Sequence, residues 1–222
     1  KQGFTLAEVL ITLGIIGIVA AMTLPSILAK TEKQETIAKL KKAYSVLSQG
    51  IKRSESDNGE ISEWPVGAEI TDVEAYFNKY WRPYYKKPKI CKTATACGYK
   101  SIQAWVNLNG DKTGWLVSST ESRVLFMLSD GTLIFSPRNS TADGNNVYVN
   151  FFFVDINGPK NPNILGRDVF IFTLSDKKLL RPYGYNRQYK NLDCSMQSSG
   201  NMNDCTAKII ADGWQIKDDY PW

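Results

Sequence analysis

Apolar positions along this chain follow three regimes, and each predicts a different element. From Phe4 to Leu28 there are 25 residues without Lys, Arg or Asp, and Glu8 is the one charged side chain among them. At about 1.5 Å per residue, a helix of that length exceeds the roughly 30 Å hydrocarbon core of a bilayer. Beyond Pro25 the helical period persists but narrows to a stripe. Ile37, Leu40, Tyr44, Leu47 and Ile51 recur at intervals of 3, 4, 3 and 4, with Lys39, Lys41, Lys42, Lys52 and Arg53 off the stripe. This is a helix that leaves the membrane and docks through one face on a globular domain, its lysines in water. Asp57-Asn58-Gly59 supplies turn and C-cap chemistry, so one helix of roughly 80 Å is predicted from Phe4 to about Asn58.

After Gly59 the pattern turns to strands. About 160 residues remain, enough to bury a core, and their aromatic-rich, moderately charged composition reads as one globular domain. Thr71 to Glu74 fits a capping box, so a short helix with Val73, Tyr76, Phe77 and Tyr80 on its apolar face should begin there. Ile102 to Leu108 followed by Asn109-Gly110, and Arg123 to Leu128 joined through Asp130-Gly131 to Thr132 to Ser136, carry hairpin signals. Val147 to Ile156 and Asp168 to Leu174 are rich in Phe, Val and Ile. The expected fold class is α+β, an antiparallel sheet laid on the long helix.

Whether the first segment is an anchor or a secretory signal turns on its length. A signal core is about 7 to 15 apolar residues ending in a small-residue cleavage site, whereas this run is longer and passes directly into a second helical pattern. It is read as retained. Gly3 followed by Phe4-Thr5-Leu6 and Glu8, then a long apolar helix with Pro25, resembles the N-terminal segment of type IV pilins and type II secretion pseudopilins. The resemblance covers about the first 30 residues. It implies cleavage after Gly3 by a prepilin peptidase, N-methylation of Phe4, and retention of the rest as a filament-forming helix. Residues 1–3 are then the remnant of a basic leader, 4–28 the transmembrane and assembly helix, 29–58 its amphipathic continuation, and 59–222 a disulfide-containing, β-rich domain.

Glu8 carries most of the functional weight. A carboxylate within a bilayer costs a few kcal/mol even on permissive scales, so it normally has a partner. Its own Phe4 amine, at i and i+4, is one candidate. The resemblance implies another, the Phe4 amine of a neighbouring subunit, which would set filament register. A third reading is a Glu that snorkels to the interface. Gly14, Gly17 and Ala21 form a small-residue stripe that lets another helix approach, although glycine is also common in membrane helices. Pro25 cannot donate to the Ala21 carbonyl, so the helix should bend or loosen there. In the family this region can melt on entry into the filament.

Composition excludes more than it assigns. Formal charge is +5 with no histidine. Solubility accounts for so mild an excess, and nucleic acid is not expected as a partner. The segment from Trp81 to Lys89 mixes aromatic and basic residues that could stack on nucleic acid or glycan, or could simply pack a loop against the sheet. Four cysteines fit an oxidising compartment. Of three possible connectivities, Cys91 with Cys97 and Cys194 with Cys205 close the shortest loops. The second loop is similar to the disulfide-bounded surface region of many pilins. Asp155, Asn157, Asn163 and Asp168 concentrate oxygens between two strands and could hold calcium, as some pseudopilins do; Asx-turns explain the same residues. No catalytic constellation is visible. In the C-terminal tail, Trp214, Ile216, Tyr220 and Trp222 are expected to seal the chain end against the core.

The resulting expectation is a structural subunit of a type II secretion pseudopilus or type IV pilus, not an enzyme. Its expected partners are other pilin or pseudopilin subunits, a prepilin peptidase and N-methyltransferase, an inner-membrane assembly platform and membrane lipid. It would sit as a single-pass protein in the inner membrane with its domain in the periplasm or outside, and in a filament after assembly. Two alternatives remain: a minor or competence pilin whose domain binds DNA or a surface ligand, and a membrane-anchored enzyme.

Overall fold

The computed structural model describes residues 3, 5–65, 72–119, 123–137, 140–142, 147–149, 151–174, 179–198, 200 and 202–222. Its dominant element is the helix α1 (Leu6–Asn58), 53 residues capped by Thr5 at one end and Gly59, at φ 79°, at the other. The helix is continuous through Pro25, so the loosening expected there does not interrupt it in the single chain. Its halves have opposite fates. No residue of the helix before Leu40 is fully buried, whereas Leu40, Ala43, Leu47, Gly50, Ile51 and Ser54 form the face pressed into the domain. Polar ties fix that face: Ser54 Oγ donates to the Tyr80 carbonyl at 2.7 Å, and Tyr44 Oη to the Leu180 carbonyl at 3.1 Å. Gly50 lies directly beneath the Tyr85 ring, where a Cβ would collide.

Two shorter helices join α1 on the same side: α2 (Val73–Tyr80) and α3 (Cys205–Ala211). The start of α2 differs from expectation. Asp72 is its N-cap, accepting from the Glu74 and Ala75 amides at 2.9 and 3.1 Å; Thr71, the expected cap, lies outside the described residues.

Among the described residues eight strands occur, in chain order: β1 (Lys89–Ile90), β2 (Arg123–Met127), β3 (Leu133–Pro137), β4 (Ser140–Ala142), β5 (Val147–Val149), β6 (Phe151–Asp155), β7 (Val169–Leu174) and β8 (Leu180–Pro182). Six form one antiparallel sheet in the order β1-β2-β3-β6-β7-β8, and β4 pairs with β5 in a separate ribbon. The single strand expected from Val147 to Ile156 is therefore two. The strands read as continuous apolar runs because both sheet faces are covered, and alternate residues serve different cores. Val124, Phe126, Ile134, Phe152, Val154, Phe170 and Phe172 face the helices. Leu125, Leu133, Phe135, Phe153, Val169 and Ile171 face an irregular layer that contributes Cys91, Cys97, Tyr99, Trp105 and Val117.

That layer corrects one expected strand. Ile102 to Leu108 makes only isolated bridges, Val106 with Lys112 and with Ile164, and Asn109-Gly110 closes a tight turn between Asn107 and Asp111. The segment covers the sheet face instead of extending its edge, and Trp105 is wholly buried against Phe135 and Phe153.

Candidate assembly site

The N-terminal turn of α1 is a closed polar ring. Thr5 donates its backbone N–H and its hydroxyl to Glu8 Oε2 at 2.8 and 2.7 Å, and the Glu8 amide donates to Thr5 Oγ1 at 3.3 Å. This is a reciprocal capping box. Within the described residues Glu8 is thus held by its own first turn. Gly3 is exposed just before it. Phe4, whose amine is the partner expected for Glu8, lies outside the described residues. The spacing Thr5-Leu6-Ala7-Glu8 is the sequence signal for this ring.

Further along, the remaining polar side chains of the apolar run also satisfy themselves. Thr12 Oγ1 donates to the Glu8 and Val9 carbonyls, Thr23 Oγ1 to Val19 and Ser26 Oγ to Thr23, all at 2.9 Å. A hydroxyl bonded to its own helix brings no unpaired donor into lipid. Apolar side chains project on every side of this stretch, from Leu6 at 78% exposure to Leu28 at 54%. Gly14 and Gly17 have open space above them, so their stripe is free to receive another helix. The helix is long and apolar enough to cross a membrane.

In the loop between β6 and β7, the four oxygen-bearing residues do come together, through hydrogen bonds. The Asp155 carboxylate accepts from Tyr99 Oη at 2.6 Å, Trp105 Nε1 at 3.2 Å and the Asn157 amide at 3.2 Å. Asp168 accepts from the Asn163 and Ile164 amides at 2.7 and 2.6 Å and from Asn157 Nδ2 at 3.1 Å. Asn157 therefore presents donors to both acids. Buried Asn157 Oδ1 and Asn163 Oδ1 lack partners, but both carboxylates already face N–H and O–H donors. Among the described residues no group of three or more His, Cys, Asp or Glu is placed to hold a metal. The hydrogen bonds present in this loop are those of an Asx-turn arrangement, with both carboxylates turned toward donors. Burial raises the Asp155 carboxyl well above the usual range, with the nearby Asp168 charge adding to it, and burial likewise raises Asp168.

Elsewhere the structure bonds Cys91 to Cys97 and Cys194 to Cys205. In the Trp81 to Lys89 segment Trp81 and Tyr85 are core residues, while Arg82, Lys86 and Lys87 are exposed, which is the loop-packing arrangement. The tail is pinned by Tyr220, buried and donating to the Gly166 carbonyl, with Trp214, Ile216 and Trp222 half-buried on the core. Sequence reasoning missed the charge cluster that holds this tail to α3. Lys208 Nζ donates to Asp219 at 2.5 Å and to Tyr189 Oη at 2.8 Å, and Lys217 pairs with Asp212 at 2.7 Å.

Residues 1–24 match the prokaryotic N-terminal methylation motif, and residues 26–222 match a family of unknown function, DUF6613. Neither a curated protein nor a solved structure matches the chain. The two matched regions meet at Pro25, inside one continuous helix. From Ser26 to Trp222 the chain belongs to the family of unknown function DUF6613, and it joins that domain to the methylation motif that is the signature of type IV pilins and pseudopilins.

Proposed function

We propose that this protein is a structural subunit of a type II secretion pseudopilus or type IV pilus, processed after Gly3 and methylated on Phe4. The observation that carries the reading is a helix half whose large apolar side chains are exposed on every side and whose few hydroxyls are bonded to their own helix, behind one carboxylate and the methylation motif. Such a surface is stable only in lipid or against other helices, and its small-residue stripe suits the second. A prepilin peptidase cuts after Gly3, an inner-membrane platform feeds the subunit into the filament, and Glu8 exchanges its Thr5 ring for the Phe4 amine of a neighbour. The role is structural, without catalysis by the domain.

Glu8→Ala tests this in the native host. The variant makes the anchor more apolar, so its abundance in the membrane fraction should equal wild type while its abundance in sheared filaments falls at least tenfold. Equal incorporation overturns the intersubunit role of Glu8. Intact mass tests processing: the mature chain should begin at methylated Phe4, and Gly3→Val should leave the precursor uncut.

A further inference from the structure

A cavity of about 510 Å³ opens between β8 and α3, and no residue of α1 lines it. Its volume is in the range of small-ligand sites, roughly 300 to 1,000 Å³. The floor is apolar, with Ala207 and Ile210 of α3; the walls carry Arg181, Arg187, Tyr185 and Tyr189. Tyr185 and Tyr189 remain 39% and 48% exposed.

Two of these side chains, and the backbone that carries a third, are held in place before any ligand arrives. Arg187 Nη1 is fixed by Asp204 Oδ2 at 2.6 Å, and its guanidinium lies over the Tyr183 ring. Tyr189 is anchored through its hydroxyl to Asp212 at 3.0 Å, with the Lys208 ammonium over its ring. The backbone of Tyr185 is set by the hydrogen bond its N–H donates to the Pro182 carbonyl at 3.1 Å. Ordering costs on binding are correspondingly small. The charges leave a surplus: Arg187 is offset by buried Asp204, whereas Arg181 is exposed and has no ion-pair partner among the described residues.

We propose that this cavity binds an acidic sugar, a uronate-type residue of a glycan. Its carboxylate would meet Arg181, with Arg187 beside it, and the apolar face of the ring would lie on Tyr185 and Tyr189. Other ligands fit less well. An added peptide strand needs free edge groups on β8, but the Leu180 carbonyl accepts from Tyr44 and the Pro182 carbonyl from Tyr185. Nucleic acid needs a run of uncompensated cations, and among the described residues this cleft has one. An isolated anion has no use for exposed aromatic rings.

The full chain in an amine-oxide detergent, which carries no sugar headgroup, can be titrated with tetragalacturonate and with its methyl ester by calorimetry. The free acid should bind at least tenfold more tightly than the ester. Arg181→Gln and Tyr185→Ala should each weaken binding at least tenfold with melting temperature unchanged, and Lys52→Gln, on α1, should not. Absence of binding, equal affinity for acid and ester, or unchanged affinity in Arg181→Gln would overturn the proposal. So would displacement by an equimolar single-stranded oligonucleotide, which would show a site for polyanions in general. None of these outcomes bears on filament assembly.

Discussion

Thr5 and Glu8 show how one charged residue is made tolerable at the start of an apolar helix. The ring they close satisfies a helix donor and the carboxylate together, so the anchor meets lipid without a bare charge. Thr5→Val removes the cap, at a cost of about 1 kcal/mol, so amide exchange of Glu8 in micelles should accelerate about fivefold; Thr5→Ser should restore it. Asp155 acts at the same scale inside the domain. Because burial raises its pKa, the native chain holds a proton that the unfolded chain has released above the usual carboxylate range. Stability contributed by that proton is full at low pH and is lost as pH rises through the raised value. Melting temperature of wild type should therefore fall relative to Asp155→Asn across that interval. Chelation should leave the wild-type melting temperature unchanged, since the loop is closed by its own donors.

Among the elements, glycines of α1 separate docking from assembly. Gly50 sits under the Tyr85 ring, so Gly50→Ala should destabilise the domain by about 1 to 3 kcal/mol in denaturant titration. Gly14→Leu and Gly17→Leu meet open space and should leave that stability unchanged while lowering filament content. The long helix and its buried stripe were legible in the sequence because 3.6-residue periodicity over many turns has no competing explanation. Arg123 to Leu128 and Thr132 to Ser136 were legible through Asp130-Gly131, and the structure pairs them as β2 and β3. Ile102 to Leu108 was misleading because an apolar run closed by Asn-Gly reads the same whether it joins a ladder or, as here, makes isolated bridges and covers a sheet face with Trp105. The three-residue β8 is too short for a pattern to emerge, though it borders the cavity. For the loop at Asp155, sequence supplies the oxygens but not the direction in which each points.

Across the whole molecule, two matched regions meet at Pro25 while the helix runs on. Domain stability should accordingly be insensitive to changes before Pro25 and sensitive to the bridges beyond it. Removing Cys194–Cys205, whose partners are 11 residues apart, should cost on the order of 2 to 4 kcal/mol, measured against wild type in denaturant.

The docked face of α1 gives the subunit a mechanical character. From Ile37 to Ser54 it lies along the domain for about 25 Å, and its contacts are ranged parallel to the helix axis. Tension applied along that axis loads the joint as a lap joint in shear, so Leu40, Leu47 and Ile51 must slip together. Tension applied across it would peel the same contacts one turn at a time, at much lower force. A pull along α1 is the direction in which this joint is strongest.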